Sequence, residues 1–432
     1  MRLRRAALHL PVHPSPTYAG PIREDRALGV RVAIIVTAAL AVLMGVQVSF
    51  PALSPWALRV SAPVLGAEIA STQTGPSIWS RGELPAVRAI YLTSWSAATP
   101  SRLREAISLA KTTEVNSVVI DIKDYTGTVV FKTESPLIGR LGGSVSRLDL
   151  PALVDRLHAE GIYVIARIAA FQDQHLLTVR PYLAVRDPEG RIWYDRKGLG
   201  WVDPASPEVW EYLVEIGRAA ARAGVDELNF DYIRFPSDGD LSALRYPVYD
   251  AAVESRRQVI RRFFEYLTTQ LRPTGAVLSA DLFGLATVRP DDMGIGQIIE
   301  DAFLYFDYIS PMVYPSHYAR GFMQFANPAD HPYQVVRYSL VRAEQRRAAF
   351  ARMLASIPAG TGAQAPIDRI ARIRPWLQAF DLGALYPPPV IRTQMEAVYD
   401  VGLTSGWMLW NPSNRYPPAT FEPAAPERAS SP

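Results

Sequence analysis

The chain has 432 residues, of which 49% are hydrophobic and 20% are charged, and this composition excludes an intrinsically disordered protein. The formal net charge is only +3, and no basic stripe interleaved with aromatic residues occurs, so nucleic acid is not expected as a partner. The chain has no cysteine, and its six histidines form no HxH or HxxxH pair in a folded region, so we expect neither a metal site nor a cofactor.

The N-terminal segment has the features of a membrane anchor. Residues 32–50 read VAIIVTAALAVLMGVQVSF, which is long enough to cross a bilayer as a helix. Six arginines precede it against two acidic residues, and this excess predicts a cytoplasmic leader over residues 1–31 and an exported domain after the anchor. Residues 51–84 are rich in Pro, Ser and Thr and are predicted to be a linker. Cleavage near residues 66–67 is the alternative, and it would give a secreted protein instead of a single-pass protein of the cell membrane.

From residue 85 to residue 415, short β-branched or aromatic runs alternate with longer amphipathic segments. Eight such βα units match a (β/α)8 (TIM) barrel with loop insertions. The predicted strands are 87–92, 117–122, 163–168, 227–233, 277–282, 308–313, 370–376 and 406–411. A doubly wound open sheet is the alternative, but the segment YLTSWSAATP after the first strand lacks the glycine-rich turn of such folds. Residues 416–432 are predicted to be a disordered tail.

Helices are expected between these strands. Pro100 and Pro207 each follow a Thr or Ser, which is typical of a helix start. The predicted helices are 100–111, 149–160, 206–223, 248–271, 295–304, 333–356 and 390–402. The longest insertion, residues 171–205, follows the third strand and is expected over the C-terminal face, where barrel enzymes build their active sites.

Polar and aromatic side chains recur at the C-terminal ends of the predicted strands. Buried strands should be apolar, so this recurrence predicts a polar cup with aromatic walls, which suits a sugar. Asp231 ends the fourth strand and Asp281 the fifth, and we expect them to be the two carboxyl groups that glycoside hydrolysis needs. Arg167 or Arg234 would keep one of them ionised. Both arginines are also candidate substrate-binding residues, together with Trp95, Asp121, Lys123, Tyr314, His317, Trp410 and Asn411.

Several segments resemble a bacterial family of glycoside hydrolases with a TIM-barrel domain, long catalogued as uncharacterised. The likeness covers roughly residues 85–415 and is carried by VRAIYLTSWSA, NSVVIDIKDYTG, YVIARIAAFQD, WVDPASPEVWEYLVEIGRAA, DELNFDYIRFPSDG and the run from LSADLFGLAT to NPADHPY. The resemblance implies a distant relation to alpha-amylase-type barrels, which place a nucleophilic Asp at the end of the fourth strand and an acid Glu at the end of the fifth. Asp231 fits the first position, whereas Asp281 stands where that Glu is expected. Chitinase-type barrels carry their acid Glu where this chain has Ile233, so their mechanism is not expected here.

Two functions of different classes remain open. The first is a glycoside hydrolase that cleaves an extracellular or cell-envelope polysaccharide or oligosaccharide by a two-carboxylate mechanism. The second is a catalytically degenerate barrel that binds glycan or organises a cell-surface assembly, which the missing fifth-strand Glu favours. A deacetylase or lyase lacks the metal-binding histidines that it would need. Structural roles are also open for Asp121 and Lys123 as an ion pair, and for Trp95 and Trp410 as core residues.

Overall fold

The computed structural model describes residues 86–141, 143–356 and 370–424. The predicted leader, membrane anchor and linker lie outside these ranges and stay predictions. Within the described ranges, no helix is both long and apolar enough to cross a membrane.

A closed barrel of parallel strands forms the centre of the domain. The strands of the described chain are β1 (Val87–Leu92), β2 (Ser117–Lys123), β3 (Val129–Phe131), β4 (Ser144–Leu148), β5 (Tyr163–Ala169), β6 (Glu227–Asp231), β7 (Val277–Phe283), β8 (Tyr308–Met312), β9 (Arg372–Ile373), β10 (Trp376–Gln378) and β11 (Gly406–Trp410). Around the barrel the order is β1, β2, β5, β6, β7, β8, β9 with β10, and β11, and β1 pairs with both β2 and β11. This closure confirms the predicted TIM barrel and shows that the open-sheet alternative is wrong.

Helices surround the barrel and connect its strands. In the described chain they are α1 (Ser94–Ala98), α2 (Pro100–Thr112), α3 (Pro136–Arg140), α4 (Leu150–His158), α5 (Gln174–Val179), α6 (Pro207–Arg222), α7 (Arg256–Leu271), α8 (Ile299–Phe303), α9 (Pro332–Ala355) and α10 (Pro388–Asp400). The helix predicted over 248–271 begins later than expected, at α7. The reason is a capping box, in which Ser255 and Gln258 satisfy each other's backbone N–H groups.

Two strand features differ from the prediction. The strands β3 and β4 form an excursion after β2 that was not predicted, and β3 runs antiparallel to β2. The strand predicted over 370–376 is split into β9 and β10. Pro375 lies between the two halves, and a proline has no N–H to donate to a neighbouring strand.

Residues 416–424, the described part of the predicted disordered tail, pack against the barrel, whereas residues 425–432 lie outside the described ranges. Phe421 is buried and stacks on Trp407, with ring centroids 6.0 Å apart and planes at 17°. The carbonyl of Glu422 accepts a hydrogen bond from the backbone N–H of Glu114 at 2.8 Å. Residues up to 424 therefore belong to the barrel domain, because an aromatic side chain anchors them to its outer surface.

Successive residues of each barrel strand point alternately outward, toward the helices, and inward, toward the barrel axis, so the domain has two apolar cores. Outward residues such as Leu228 and Phe230 pack with the helices in one large apolar cluster. Inward residues form a second apolar cluster inside the barrel, which contains Ala89, Val119, Ile165 and Met408 among others. The polar inward residues lie among this second cluster, and they form the candidate active site.

Candidate active site

The fourth barrel strand, β6, carries three polar side chains on one face. Glu227, Asn229 and Asp231 alternate with Leu228 and Phe230, so the period of two points all three toward the barrel axis. Glu227 is at the N-terminal end of the strand, and Asp231 is at the C-terminal end. The strand therefore places one carboxylate low in the barrel interior and another at its mouth.

The group at the mouth, which we call the carboxylate cup, consists of Arg167, Asp121, Asp231 and Asp281. The Nη1 of Arg167 donates to Asp121 Oδ1 at 2.6 Å, and its Nη2 donates to Asp231 Oδ2. Its Nε lies 3.5 Å from Asp281 Oδ2. The four residues come from β2, β5, β6 and β7, which are consecutive around the barrel. One guanidinium therefore faces three carboxyl groups.

Asp281 is the most enclosed carboxyl of the cup, with only 1% of its surface exposed. Asn229 Nδ2 and Trp376 Nε1 both donate to its Oδ1 at 2.8 Å, while its Oδ2 has no hydrogen-bond partner. Burial and the charge of Asp231 raise the pKa of Asp281 to about 8, against the opposing effect of Arg167. Asp281 therefore holds a proton at neutral pH, and Oδ2 is the oxygen free to carry it.

Asp121 has donors on both of its oxygens. Tyr91 donates its hydroxyl to Oδ2, and Arg167 donates to Oδ1. Burial raises the pKa of Asp121, and Arg167 and the Tyr91 hydrogen bond oppose that rise. Asp121 therefore orients Arg167 within the cup. In the described part of the chain, no group of three or more acidic or histidine side chains could hold a metal ion.

Asp231 lies at an abrupt change of backbone direction. The next residue, Tyr232, has a φ of 55°, a left-handed conformation that costs a non-glycine residue about 1–3 kcal/mol. This conformation brings the Tyr232 N–H back to Asp231 Oδ1 at 2.5 Å. Asp231 thus accepts one hydrogen bond from the Arg167 guanidinium and one from the backbone, and these two contacts fix the orientation of its carboxyl group.

Aromatic rings form one wall of the barrel mouth. Tyr314 stacks on Trp410 with ring centroids 5.8 Å apart and planes at 26°. Phe380 and Tyr91 also pack against Trp410, at 4.9 and 6.3 Å between centroids. His317 meets Tyr314 edge-on at 5.2 Å. The structure therefore brings three predicted residues together in this wall, where Tyr314 is buried and Trp410 is partly exposed and can stack against the C–H face of a sugar.

Arg234 lies near the same mouth but does not bind the carboxylates of the cup. Its guanidinium lies over the rings of Trp201 and Phe283, 4.7 and 4.5 Å from their centroids. Of the two arginines predicted to hold a carboxylate, Arg167 does so, and Arg234 has a different environment.

Lys123 is not positioned to bind a substrate, contrary to the prediction. Its side chain is completely buried, pairs with Asp173 at 2.9 Å and donates to the Ala169 carbonyl at 2.6 Å. The ion pair forms with Asp173 rather than with Asp121, the partner considered in the sequence. Because no part of the ammonium group is exposed, Lys123 has a structural role.

Asn411 and Trp95 also differ from their predicted roles. Asn411 uses its side chain to join two loops: Nδ2 donates to the carbonyls of Ala379, after β10, and Arg415, and Oδ1 accepts from Ser413. Trp95 lies on α1, and the guanidinium of Arg147 covers its ring at 3.8 Å. With 65% of its surface exposed, Trp95 is neither core nor part of the carboxylate cup.

Four residues that touch the cup were not predicted as site residues. They are Tyr91, Asn229, Tyr232 and Trp376. Asn229 could have been found, because it lies two positions before Asp231 and so shares its face of the strand. Tyr91 and Trp376 are aromatic residues in apolar runs, where a core position is the ordinary expectation.

Below the cup, Glu227 and Arg374 form what we call the basal pair. Both side chains are completely buried and bonded to each other. Ser279 donates to Glu227 Oε1 at 2.5 Å, and Tyr163 donates to Oε2 at 3.2 Å. This pair was not predicted either, since its two members are 147 positions apart in the sequence.

The sequence profile of one protein family matches residues 89–416, which is nearly the whole barrel. That family is described as "Putative glycosyl hydrolase domain". The chain belongs to this family. Both the predicted family and the predicted class of enzyme, a glycosyl hydrolase, are thereby confirmed. No curated protein matches the chain.

Solved structures of three proteins illustrate the likeness. A hypothetical protein from Ruminiclostridium thermocellum is 35% identical, over 44% of this chain and 96% of its own, with a TM-score of 0.41. The PgaB (BpsB) glycoside hydrolase domain from Bordetella bronchiseptica is 17% identical, over 78% and 99%, with a TM-score of 0.50. The glycoside hydrolase domain of PelA from Pseudomonas aeruginosa is 14% identical, over 77% and 96%, with a TM-score of 0.38. The likeness to PgaB is one of fold.

Proposed function

We propose that this protein hydrolyses glycosidic bonds of a polysaccharide or oligosaccharide, with Asp231 and Asp281 as its two carboxyl groups. The observation that carries the proposal is the unlike surroundings of these neighbours. Burial and the charge of Asp231 raise the pKa of Asp281 to about 8, whereas Asp231 accepts hydrogen bonds from the Arg167 guanidinium and the Tyr232 N–H. Glycoside hydrolysis requires one carboxylic acid and one carboxylate on either side of the scissile bond.

The shared contact of the two groups supports the same proposal. Asp231 and Asp281 each lie against the guanidinium of Arg167. This arginine therefore gathers two carboxyl groups at the barrel mouth, and glycoside hydrolysis requires such a pair. In the proposed reaction, Asp281 gives its proton to the departing glycosidic oxygen. Asp231 attacks the sugar carbon or takes a proton from the attacking water.

The proposed substrate is an extracellular or cell-envelope polysaccharide. Trp410 is partly exposed and offers a ring face for sugar stacking, and the buried ring of Tyr314 stacks on it. The sequence of residues 32–50 further suggests that the domain is exported. We therefore place the barrel outside the cytoplasm, either tethered to the cell membrane or secreted.

The test is product release by the purified wild type and by Asp231→Asn on a panel of bacterial polysaccharides, measured as new reducing ends. We expect Asp231→Asn to lose roughly 10²–10⁴-fold in rate, because a positioned carboxylate contributes about that much. Asp240→Asn is the matched control, since Asp240 is exposed and only bonds Ser242 in its own loop.

Three results distinguish the possible functions. A large loss confined to Asp231→Asn supports hydrolysis through the cup. Equal rates for the wild type and Asp231→Asn would remove Asp231 from the mechanism. Tight binding of a glycan by the wild type without any product would instead support the glycan-binding barrel.

A further inference from the structure

The side chain of Arg234 is held rigidly at the barrel mouth. Aromatic rings of Trp201 and Phe283 pack against its guanidinium, and only 9% of the residue is exposed. Its Nη1 donates to the Phe235 carbonyl at 3.1 Å and to Ser237 Oγ at 2.9 Å. These contacts occupy one edge of the guanidinium and fix its orientation.

The opposite edge of Arg234, formed by Nε and Nη2, has no hydrogen-bond acceptor among the described residues. No carboxylate of the described chain lies within 4.0 Å of its nitrogens. Other arginines of this protein use the same edge to grip a carboxylate with two parallel N–H groups. They are Arg257 with Asp301, Arg289 with Asp291 and Arg346 with Glu300. Arg234 thus has the geometry of a carboxylate clamp without a carboxylate.

An enclosed cation without an ion pair is costly, and this cost favours a ligand that supplies the missing charge. Burial lowers the pKa of Arg234, which is the signature of that cost. The charges of Asp231, Asp238 and Asp195 oppose this lowering, but none of their carboxylates lies within 4.0 Å of an Arg234 nitrogen. The Asp195 carboxylate already accepts a hydrogen bond from Gln172 at 2.9 Å. An external anion is therefore the partner that this edge can accept.

The position of Arg234 places such an anion beside the proposed reaction centre. Arg234 follows Asp231 by three residues, and its guanidinium lies 5.7 Å from the ring centre of Tyr232. That ring belongs to the residue whose backbone N–H binds Asp231. A substrate gripped by Arg234 would thus have its neighbouring sugar at the carboxylate cup.

We propose that Arg234 binds the carboxylate of an acidic sugar, a uronic acid unit, next to the bond that is cleaved. Two parallel N–H groups match the two oxygens of a planar carboxylate. The same two N–H groups also fit two oxygens of a sulfate or phosphate ester, so the test below includes a sulfated polymer. The statement about the cleaved bond rests on the proposed function. The statement about binding of the acidic sugar does not, because that binding can be measured separately.

The test uses calorimetric binding of the purified full chain to uronic-acid polysaccharides, each before and after chemical reduction of its carboxylates to alcohols. We expect the wild type to bind at least one native polymer about 10-fold more tightly than its reduced form, as a charge-assisted pair would give. Arg234→Lys and Arg234→Gln should both lose this preference, since lysine keeps the charge but has no two-pronged edge. Arg289→Gln is the matched control and should keep it, because Arg289 pairs with Asp291 on the exposed surface.

Three outcomes count against the proposal, and a fourth counts only against the proposed hydrolysis. Equal binding of native and reduced polymers by the wild type, or no binding of either, would overturn it. If Arg234→Gln still binds the native polymer more tightly than the reduced one, a residue other than Arg234 binds the sugar carboxylate. An equal preference for a sulfated neutral polymer would show general attraction of anions instead of a carboxylate clamp. A preference for uronic acid without release of reducing ends would leave the clamp standing and reject the proposed hydrolysis.

Discussion

The barrel interior contains two arginine–carboxylate groups, which differ in the number of carboxyl groups that face the arginine. In the basal pair, Glu227 faces Arg374 one to one, and both side chains are completely buried. In the carboxylate cup, the single guanidinium of Arg167 faces three carboxyl groups. The basal pair is balanced in charge, whereas the cup has an excess of carboxyl groups that proton binding relieves.

The comparison teaches that the same residue types stabilise the fold in one layer and provide chemistry in the next. Ser279 and Tyr163 complete the hydrogen bonding of Glu227, so both of its oxygens have a partner. Asp281 has no hydrogen bond on Oδ2 and lies beside Asp231, so it takes up a proton. The arginine of the basal pair faces one carboxyl group and that of the cup faces three, and this difference separates the structural role from the chemical one.

Removal of the basal arginine should have the largest effect on stability. Arg374→Met leaves Glu227 buried without a counter-charge, and we expect the free energy of unfolding to fall by about 3–5 kcal/mol. Urea unfolding followed by circular dichroism measures this loss. The control Arg289→Met removes an exposed pair with Asp291 and should cost no more than about 1 kcal/mol. Similar small losses for both variants would show that the basal pair does not support the fold.

A smaller effect is expected when one hydrogen bond to the cup is removed. The Trp376 indole donates to Asp281 Oδ1 and stabilises its charged form, so Trp376→Phe should raise the pKa of Asp281 further. Hydrolysis needs the protonated acid, and we therefore expect the alkaline limb of the rate profile to move up by about one pH unit.

The pH dependence of kcat/KM measures that shift. Trp407→Phe is the matched control, because the Trp407 indole donates to Tyr399 at 2.9 Å on the outer side of the barrel. Its profile should not move. If the alkaline limb of the Trp376→Phe profile moves toward lower pH, or does not move, Asp281 is not the acid whose ionisation sets that limb.

The sequence predicted the fold and part of the site because both depend on local periodicity. The alternation of short β-branched runs with amphipathic segments located the barrel strands, and the position of Asp231 at the end of the fourth strand placed it at the mouth. The same reasoning placed Asp281 on the neighbouring strand, where it shares the guanidinium of Arg167. Residues at strand ends could thus be grouped without knowledge of tertiary contacts.

The remaining features depend on contacts and backbone angles that no local pattern encodes. Lys123 is at a strand end like the site residues, yet its partner Asp173 comes from a loop 50 positions later and encloses it. The left-handed backbone of Tyr232 also has no sequence signal, because tyrosine rarely adopts it. These features decide which polar strand ends reach the cup.

The most direct test of the central claim is a measurement of the proton on Asp281. Infrared difference spectra between the wild type and Asp281→Asn, recorded across a pH titration, report the stretch of the protonated carboxyl group. We predict a band that persists at neutral pH and disappears near pH 8, because burial and the charge of Asp231 raise the pKa of Asp281 to about 8. A band that is already lost by about pH 5, close to the ordinary pKa of an aspartate, would contradict the division of roles between Asp231 and Asp281.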